Sequence, residues 1–224
     1  GFATFVEIGD DSLLTNHGLI SGGAVNVCGL NFRLVNTGDI LDTFGTQTNY
    51  PLIEAEGSGT IIHNSGNIIS VTGKAVSVGA DARLFNSGEI AGYNYGVTAF
   101  GSSATSVFLL ENAGIIRGGA GAISAVGNLS TVTNSGSIFG NVVFSGEVVM
   151  QNSGEVFGDI NMGDGSGSFR AIGDGFVVGE VMGMGGVDLI VGARADDHFS
   201  GGDGNDTLRG GAGEDTLSGG KNDD

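Results

Sequence analysis

Short runs of alternating apolar and polar residues fill most of the chain. Examples are AVSV at 75–78, STVT at 130–133 and GEVVM at 146–150. Alternation over a few residues is typical of a β-strand with one buried face. No segment has the apolar spacing of an amphipathic helix of ordinary length. The pattern therefore predicts an all-β protein built from short strands.

A second pattern, Asn-x-Gly-x-(Ile/Val), recurs between these runs. Its asparagines lie 18 to 28 residues apart. They are Asn16, Asn36, Asn64, Asn86, Asn112, Asn134 and Asn152, and a last echo at 173–177 has Gly173 in place of asparagine. A turn signal with short strands at this period indicates one coil of a parallel β-solenoid.

The Asn-x-Gly step predicts the corner of each coil. Asparagine and glycine both tolerate left-handed backbone, and stacked asparagines can hydrogen-bond from coil to coil as a ladder. The two longest intervals predict excursions from the regular coil at residues 43–51 and 93–106. Pro51, which lacks a backbone donor, falls in the first of them.

The Asn-x-Gly-x-Ile coil resembles the right-handed parallel β-helices of bacterial surface and autotransporter-type passenger proteins. The resemblance covers residues 3–180 and implies a β-helix of about eight coils over residues 1–182. It implies a scaffold and no particular activity.

The last part of the chain carries a different repeat, with an aspartate at every ninth position. Two complete copies of G-G-x-G-x-D-x-U-x, where U is a large apolar residue, lie at 201–209 and 210–218. The copies at 183–191 and 192–200 are degenerate. Glycine permits sharp turns with positive φ, and the apolar residue points into a core from a short strand. Carboxylates and carbonyls at this density suit Ca²⁺, which takes roughly six to eight oxygen ligands.

This tail resembles the repeats-in-toxin (RTX) family of secreted bacterial proteins, whose nonapeptides wind a parallel β-roll around calcium. The resemblance covers residues 183–224. It implies ions between aspartates two copies apart: Asp188 with Asp206, Asp197 with Asp215, and Asp206 with Asp224. The implied calcium ligands are Asp188, Asp197, Gly202, Asp203, Gly204, Asp206, Gly211, Gly213, Asp215 and Asp224. In the pair Asp197 and Asp215, the loop of Asp197 is expected to be less flexible, because Ala193 and Ala195 stand where the motif has glycines.

Composition adds a strong acidic balance. The chain has 25 acidic and 8 basic residues and a formal net charge of −17, which argues against nucleic acid or anionic membranes as partners. The tail should repel itself without a counterion, so calcium binding and folding should be coupled. The single cysteine, Cys28, cannot form an internal disulfide and is expected to be buried. No apolar run has the length of a membrane span, and no signal peptide is visible.

Catalytic groups form no recognisable set. The three histidines, His17, His63 and His198, are scattered along the chain. Tyr93, Tyr95 and Arg117 could line a sugar groove, as in β-helical epimerases and lyases that are joined to RTX modules, yet aromatic residues on an excursion more often cover a solenoid face. The threonines share no column, which disfavours ice binding. We therefore predict no enzymatic activity.

The sequence thus predicts an all-β protein: a right-handed parallel β-helix continuing into an RTX parallel β-roll over residues 183–224. We expect a calcium-binding structural or adhesive segment of a secreted or surface-exposed bacterial protein. Since the chain lacks an initial methionine and ends within a repeat, we expect it to be part of a longer polypeptide. The alternatives are a polysaccharide-active or polysaccharide-binding β-helix, and a filament or surface-layer subunit that associates end to end. A polysaccharide or a cell-surface matrix is a candidate partner besides calcium.

Overall fold

Short parallel strands stacked coil upon coil build the molecule. The structure is a computed structural model, and it describes residues 6–27, 29–42, 50–101, 105–127, 129–222 and 224. Cys28 and residues 43–49 of the first predicted excursion lie outside the described residues. No α-helix occurs in the described part of the chain, so the all-β prediction is confirmed.

Strands of two to six residues follow one another along the chain. In chain order they are β1 Val6–Ile8, β2 Leu13–Asn16, β3 Leu19–Ser21, β4 Val25–Val27, β5 Arg33–Asn36, β6 Asp39–Leu41, β7 Ile53–Ala55, β8 Ile61–Asn64, β9 Asn67–Ser70, β10 Val76–Val78, β11 Arg83–Asn86, β12 Glu89–Gly92, β13 Tyr95–Phe100, β14 Val107–Asn112, β15 Ile115–Gly118, β16 Gly121–Val126, β17 Leu129–Asn134, β18 Ser137–Phe139, β19 Val142–Phe144, β20 Val148–Asn152, β21 Glu155–Phe157, β22 Ile160–Asn161, β23 Gly167–Ala171, β24 Phe176–Val177, β25 Val181–Gly185, β26 Leu189–Val191, β27 His198–Asp203, β28 Thr207–Arg209 and β29 Thr216–Lys221.

Three parallel sheets run along the solenoid. Sheet A holds eleven strands, from β1 to β29, and sheet B holds ten, from β2 to β28. Sheet C holds eight, from β3 to β24. Each coil from β1–β2–β3 to β22–β23–β24 gives one strand to every sheet, whereas the strands after β24 continue sheets A and B only. The parallel β-solenoid predicted from the repeats is therefore confirmed.

The core is made of aligned columns of inward-facing side chains. One column in sheet B comprises Leu34, Ile62, Leu84, Leu110, Val132, Met150, Phe169 and Ile190, all buried. Burial of each such side chain stabilises the fold by about 1.5–3 kcal/mol. Because strand side chains alternate between faces, a slip of one residue would turn a whole column to solvent. The hydrophobic pattern thus fixes the register of the coils.

The corner between sheets B and C contains the predicted asparagine ladder. The amide Nδ2 of each asparagine donates to Oδ1 of the next, at 2.7–2.8 Å, from Asn16 through to Asn152. The same Nδ2 also donates to the carbonyl of the motif's glycine, as from Asn64 to Gly66 at 3.0 Å. Every asparagine of the ladder is buried. The ladder therefore pairs polar groups that would otherwise be left unsatisfied in the core.

The predicted left-handed backbone at this corner is wrong. Among the described residues, neither the asparagines nor the glycines of the seven Asn-x-Gly motifs have positive φ, although Gly173 of the last echo has a φ of 65°. Glycine is needed there for closeness: a Cβ on Gly88 would collide with the carbonyl oxygen of Gly66 one coil before. Left-handed residues occupy the corner between sheets A and B instead, at Asp11, Asn31, Gly59 and Asp81, with φ of 53°, 55°, 82° and 56°.

The coil irregularities agree only in part with the predictions. In the second predicted excursion, Tyr95–Phe100 form the regular strand β13, paired with β10 and β16, and residues 102–104 lie outside the described residues. The last echo of the Asn motif is misaligned. Ala171, and not Gly173, pairs with Asn152, and the corner after it is longer than its predecessor. The ladder therefore stops at Asn152, whose Nδ2 donates to the Phe176 carbonyl at 3.1 Å.

A membrane-spanning helix is absent from the residues that the structure describes.

We predict that Asn86→Ala destabilises the chain by about 2 kcal/mol, because it removes a donor to Asn112 Oδ1 and an acceptor from Asn64 Nδ2 in a buried ladder. Urea unfolding followed by circular dichroism measures the change. The matched control is Ser87→Ala, whose exposed hydroxyl makes only a 3.4 Å contact with the Asn64 carbonyl. That variant should stay within about 0.5 kcal/mol of the native chain. Equal midpoints for the two variants would contradict a stabilising ladder.

Candidate metal centre

The nonapeptide copies form two stacks of loops at opposite ends of the short strands. The first loop stack consists, within the described residues, of 183–188, 201–206, 219–222 and 224, which lie in register because Met184 pairs with Gly202 and Gly202 with Gly220. The second loop stack consists of residues 192–197 and 210–215. Three of the four apolar residues of the copies are packed as predicted: Ile190 and Phe199 are buried, and Leu208 packs on the core. Leu217 of the last complete copy is 45% exposed.

The aspartates that the sequence paired lie in neighbouring loops. The backbone N–H of Asp188 donates to Asp206 Oδ1 at 2.9 Å. Asp197 donates likewise to Asp215 Oδ1, and Asp206 to Asp224 Oδ1, each at 3.0 Å. Asp188 Oδ1 in turn accepts the N–H of Gly167 at 2.6 Å, which docks the first loop onto the preceding coil. One carboxylate oxygen of Asp188, Asp206, Asp215 and Asp224 therefore ties its loop to the preceding coil.

The other oxygen of three carboxylates is buried and has no partner. Asp188, Asp197 and Asp206 are only 1%, 4% and 4% exposed, and the Oδ2 atom of each makes no hydrogen bond. A buried charge without a partner is strongly unfavourable, so each site should be protonated or should hold a cation.

These unpartnered oxygens converge with backbone carbonyls beside the first glycine of each copy. A Cβ on Gly201 would contact both Asp206 Oδ2 and the carbonyl oxygen of Gly219. Equivalent positions occur at Gly183, facing Asp188 Oδ2 and the Gly201 carbonyl, and at Gly192, facing Asp197 Oδ2 and the Gly210 carbonyl. Each gap between loops is thus lined by oxygen atoms where glycine leaves room.

Burial changes the acidity of two of these aspartates. The pKa of Asp188 is raised to about 6, chiefly by burial, although the Gly167 N–H opposes the rise and Asp206 adds to it. The pKa of Asp197 is also raised to about 6 by burial, with repulsion from Asp215 contributing. Both carboxylates are therefore held in surroundings that favour neutralisation, by a proton or by a metal ion.

The glycines proposed as ligands adopt the conformation that their motif requires. Gly202, Gly204, Gly211 and Gly213 have φ of 106°, 148°, 110° and 124°. The alanines of the degenerate copy, Ala193 and Ala195, do not share the positive φ of Gly211 and Gly213, which stack on them. Met184, at the position of Gly202, has a φ of 74°, which the repeat pattern does not predict for a methionine.

Three of the six predicted aspartate ligands are less buried than the other three. Asp203 is 63% exposed, and its Oδ1 pairs with Lys221 Nζ at 2.9 Å, so its side chain lies outside the ladder of aspartates. Asp215 is half-buried and Asp224 is exposed. The structure therefore separates Asp203 from the five other predicted aspartate ligands, which are Asp188, Asp197, Asp206, Asp215 and Asp224.

The donor set fits Ca²⁺. Carboxylate and carbonyl oxygens are the ligands of this hard cation, which accepts irregular geometry. Within the described ranges no three His, Cys, Asp or Glu side chains come together as a metal-binding group. Carbonyls must therefore supply part of any coordination shell, as at Gly201 and Gly219.

The comparisons with known proteins agree with this geometry. The family model described as RTX calcium-binding nonapeptide repeat, in four copies, matches residues 182–217 and 191–224. The tail therefore carries RTX repeats, a family that binds calcium and is typical of secreted bacterial proteins, and the resemblance seen in the sequence is confirmed. No curated protein and no solved structure matches the chain. A β-solenoid with such repeats is typically structural and not enzymatic.

The residues considered for catalysis do not converge. His17 Nδ1 lies 2.7 Å from Thr37 Oγ1, and His198 lies 4.0 Å from Glu180 in another part of the molecule. Arg117 forms an ion pair with Glu89. His63 stacks on Phe85, with ring centroids 4.7 Å apart, in a groove that the sequence did not reveal.

We predict that acid stabilises the calcium-free tail. Because the folded-state pKa of Asp188 and Asp197 is about 6, above the ordinary value of 3.8, their contribution to stability is complete below about pH 4 and is lost as pH rises through 6. Amide hydrogen exchange of β26 in a calcium chelator, corrected for the intrinsic rate, should show greater protection at pH 5 than at pH 7.

The internal control is β14, whose inward residues Phe108 and Leu110 are apolar. Its corrected protection should change less over the same range. Protection of β26 that falls on acidification would contradict the assignment.

Proposed function

We propose that this chain is a scaffold segment of a secreted bacterial protein, with a structural or adhesive role, whose tail folds when it binds calcium. The observation that carries the proposal is the set of buried, unpartnered Oδ2 atoms of Asp188, Asp197 and Asp206, each facing a carbonyl in the next loop. Such an arrangement is unfavourable without a cation and favourable with one.

The proposed ions lie between successive loops. In the first loop stack the ligands are the carboxylates of Asp188, Asp206 and Asp224, and in the second those of Asp197 and Asp215. Carbonyls of the loops complete each shell, among them those of Gly202, Gly204, Gly211 and Gly213 and, from their position, Gly201 and Gly219. We leave Asp203 out because Lys221 already pairs with it.

We divide the chain into a β-helix at residues 1–182 and a β-roll at residues 183–224. The end of sheet C at β24 supports this boundary, because coils beyond it consist of two strands and two loops. The β-helix is held by neutral amide ladders and apolar columns. The roll has few inward apolar side chains and carries carboxylates at its corners, so it depends on ions in a way that the β-helix does not.

Calcium dependence would place folding after export. Extracellular calcium modules bind at about 10⁻⁴–10⁻³ M, well above the cytosolic concentration. Inside the cell the loop carboxylates would repel one another, and the roll would stay unfolded. Outside the cell, the free energy of calcium binding would stabilise the folded roll.

We predict that Asp206→Ala raises the calcium midpoint for folding of the tail by about tenfold or more, because this carboxylate belongs to two ion positions. Asp188→Ala should have a smaller effect, since it belongs to one. Calcium titrations followed by circular dichroism, with amide exchange of β28 as a local readout, measure the midpoints.

Two variants separate ion binding from the loss of a hydrogen bond or of a charge. Asp206→Asn keeps an oxygen that can accept the Asp188 N–H, yet should still raise the midpoint, because it loses the carboxylate charge. Glu214→Ala removes the same charge from an exposed side chain and should shift the midpoint less than about threefold. A midpoint for Asp206→Asn equal to the native one would refute the ligand assignment.

A further inference from the structure

A groove of about 400 Å³ runs along the corner of sheets B and C, parallel to the solenoid axis. One wall is the row Val35, His63, Phe85, Glu111 and Thr133, which lie side by side on successive strands. The other wall is the row of small residues in the Asn-x-Gly motifs, including Ser65, Ser87 and Ser135. We call it the sheet B groove.

Cationic side chains are concentrated on the outer face of the same sheet. Its strands carry Arg33, Arg83, Arg170 and Arg209, all exposed, and Glu111 is their only acidic residue. In a chain with a net charge of −17 this is a reversal of sign. The strands of sheet C, in contrast, carry Asp39, Glu89 and Glu155 against Arg117.

The sheet B arginines also have no acidic partner among the described residues. Over the residues that the structure describes, the ion pairs of arginine and lysine are those of Arg117, Arg194 and Lys221. Lys74 lies over the ring of Phe100 instead. Exposed arginines that an acidic protein leaves unpaired on one face are available to an anionic ligand.

The two nearest arginines lie beside the groove wall without lining the groove itself: Arg33 and Arg83 precede Val35 and Phe85 by two residues on the same outer face. Arg33 and Arg83 both pair with Ile61, one from each side, so their Cα atoms are separated by two strand spacings, about 10 Å. His63 lies on the strand between them, and its ring is held against Phe85 at an interplanar angle of 8°. Two charged donors at a fixed interval therefore adjoin the wall of the groove.

Acceptors line the same groove. The Ser65 and Ser87 hydroxyls donate to asparagine carbonyls of the previous coil, at 3.3 and 3.4 Å, which leaves their lone pairs free to accept. Glu111 is exposed and adds a carboxylate acceptor. A ligand that satisfies both rows must carry anions at intervals and hydroxyl donors between them.

We propose that the sheet B groove binds an extended acidic polysaccharide, with its carboxylates on Arg33 and Arg83 and its hydroxyls on Glu111 and the serine row. The axial direction of the groove suits a linear polymer. Glu111 disfavours a nucleic-acid backbone, which presents phosphates with few hydroxyl donors. The inference is independent of the proposed calcium sites, which lie in the other end of the chain.

Binding of a galacturonate hexamer to the full chain at fixed free calcium, measured by calorimetry, tests the proposal. The double variant Arg33→Gln/Arg83→Gln should bind about a hundredfold more weakly, roughly tenfold for each charge-assisted contact. The matched control Arg170→Gln/Arg209→Gln removes the same charge from the same face of sheet B. These two arginines lie on β23 and β28, strands that contribute no residue to the groove. The control should change the Kd less than about threefold.

Further probes distinguish the sources of binding. A neutral maltohexaose and a single-stranded oligonucleotide should both bind much more weakly than the uronate. Equal losses in the two double variants, or an oligonucleotide that binds as tightly as the uronate, would overturn the proposal.

Discussion

The hydrogen-bonding capacity of the side chain at each inward-facing corner determines how one coil of this molecule stacks on the next. An asparagine amide both donates and accepts, so one asparagine satisfies the next and the row can extend without any charge. Asn64, for example, accepts from Asn36 and donates to Asn86. A carboxylate only accepts. At the corners of the tail, between sheets A and B, the inward polar residue is an aspartate, of which one oxygen accepts from backbone and the second is left over, as at Asp206.

Asparagine corners and aspartate corners therefore stack coils in two different ways. The neutral corner needs nothing from solvent and supports the broad three-sheet coil, filled by Ile, Leu, Val and Phe. The anionic corner accompanies a narrow coil with a thin core, in which apolar burial alone supplies less stabilisation. An ion at the corner then contributes both charge neutralisation and a bond between neighbouring loops. Dependence on calcium follows from the smaller core as much as from the charge.

Local repetition made the fold and much of the candidate site predictable. The period of the Asn-x-Gly motif indicated the coil, and the nine-residue spacing indicated which aspartates become neighbours, as for Asp188 and Asp206. Backbone conformations that depend on a neighbouring coil could not be predicted from the sequence. The glycine of the motif is required by the approach of another backbone and not by its own φ. Ala171, and not Gly173, pairs with Asn152, because the following corner is longer than the one before it. The stacking of His63 on Phe85 depends on register between motifs that are not adjacent in sequence.

The bond from the Gly167 N–H to Asp188 Oδ1 joins the two kinds of coil. It anchors the first acidic loop to a preformed neutral surface, so the nucleation step of the tail is already complete when the β-helix has folded. Each later loop then adds to an existing edge, in the manner of a zipper that closes from one side. Order should consequently spread outward from Asp188, and the portion furthest from the β-helix should be the first to fray when calcium is withdrawn.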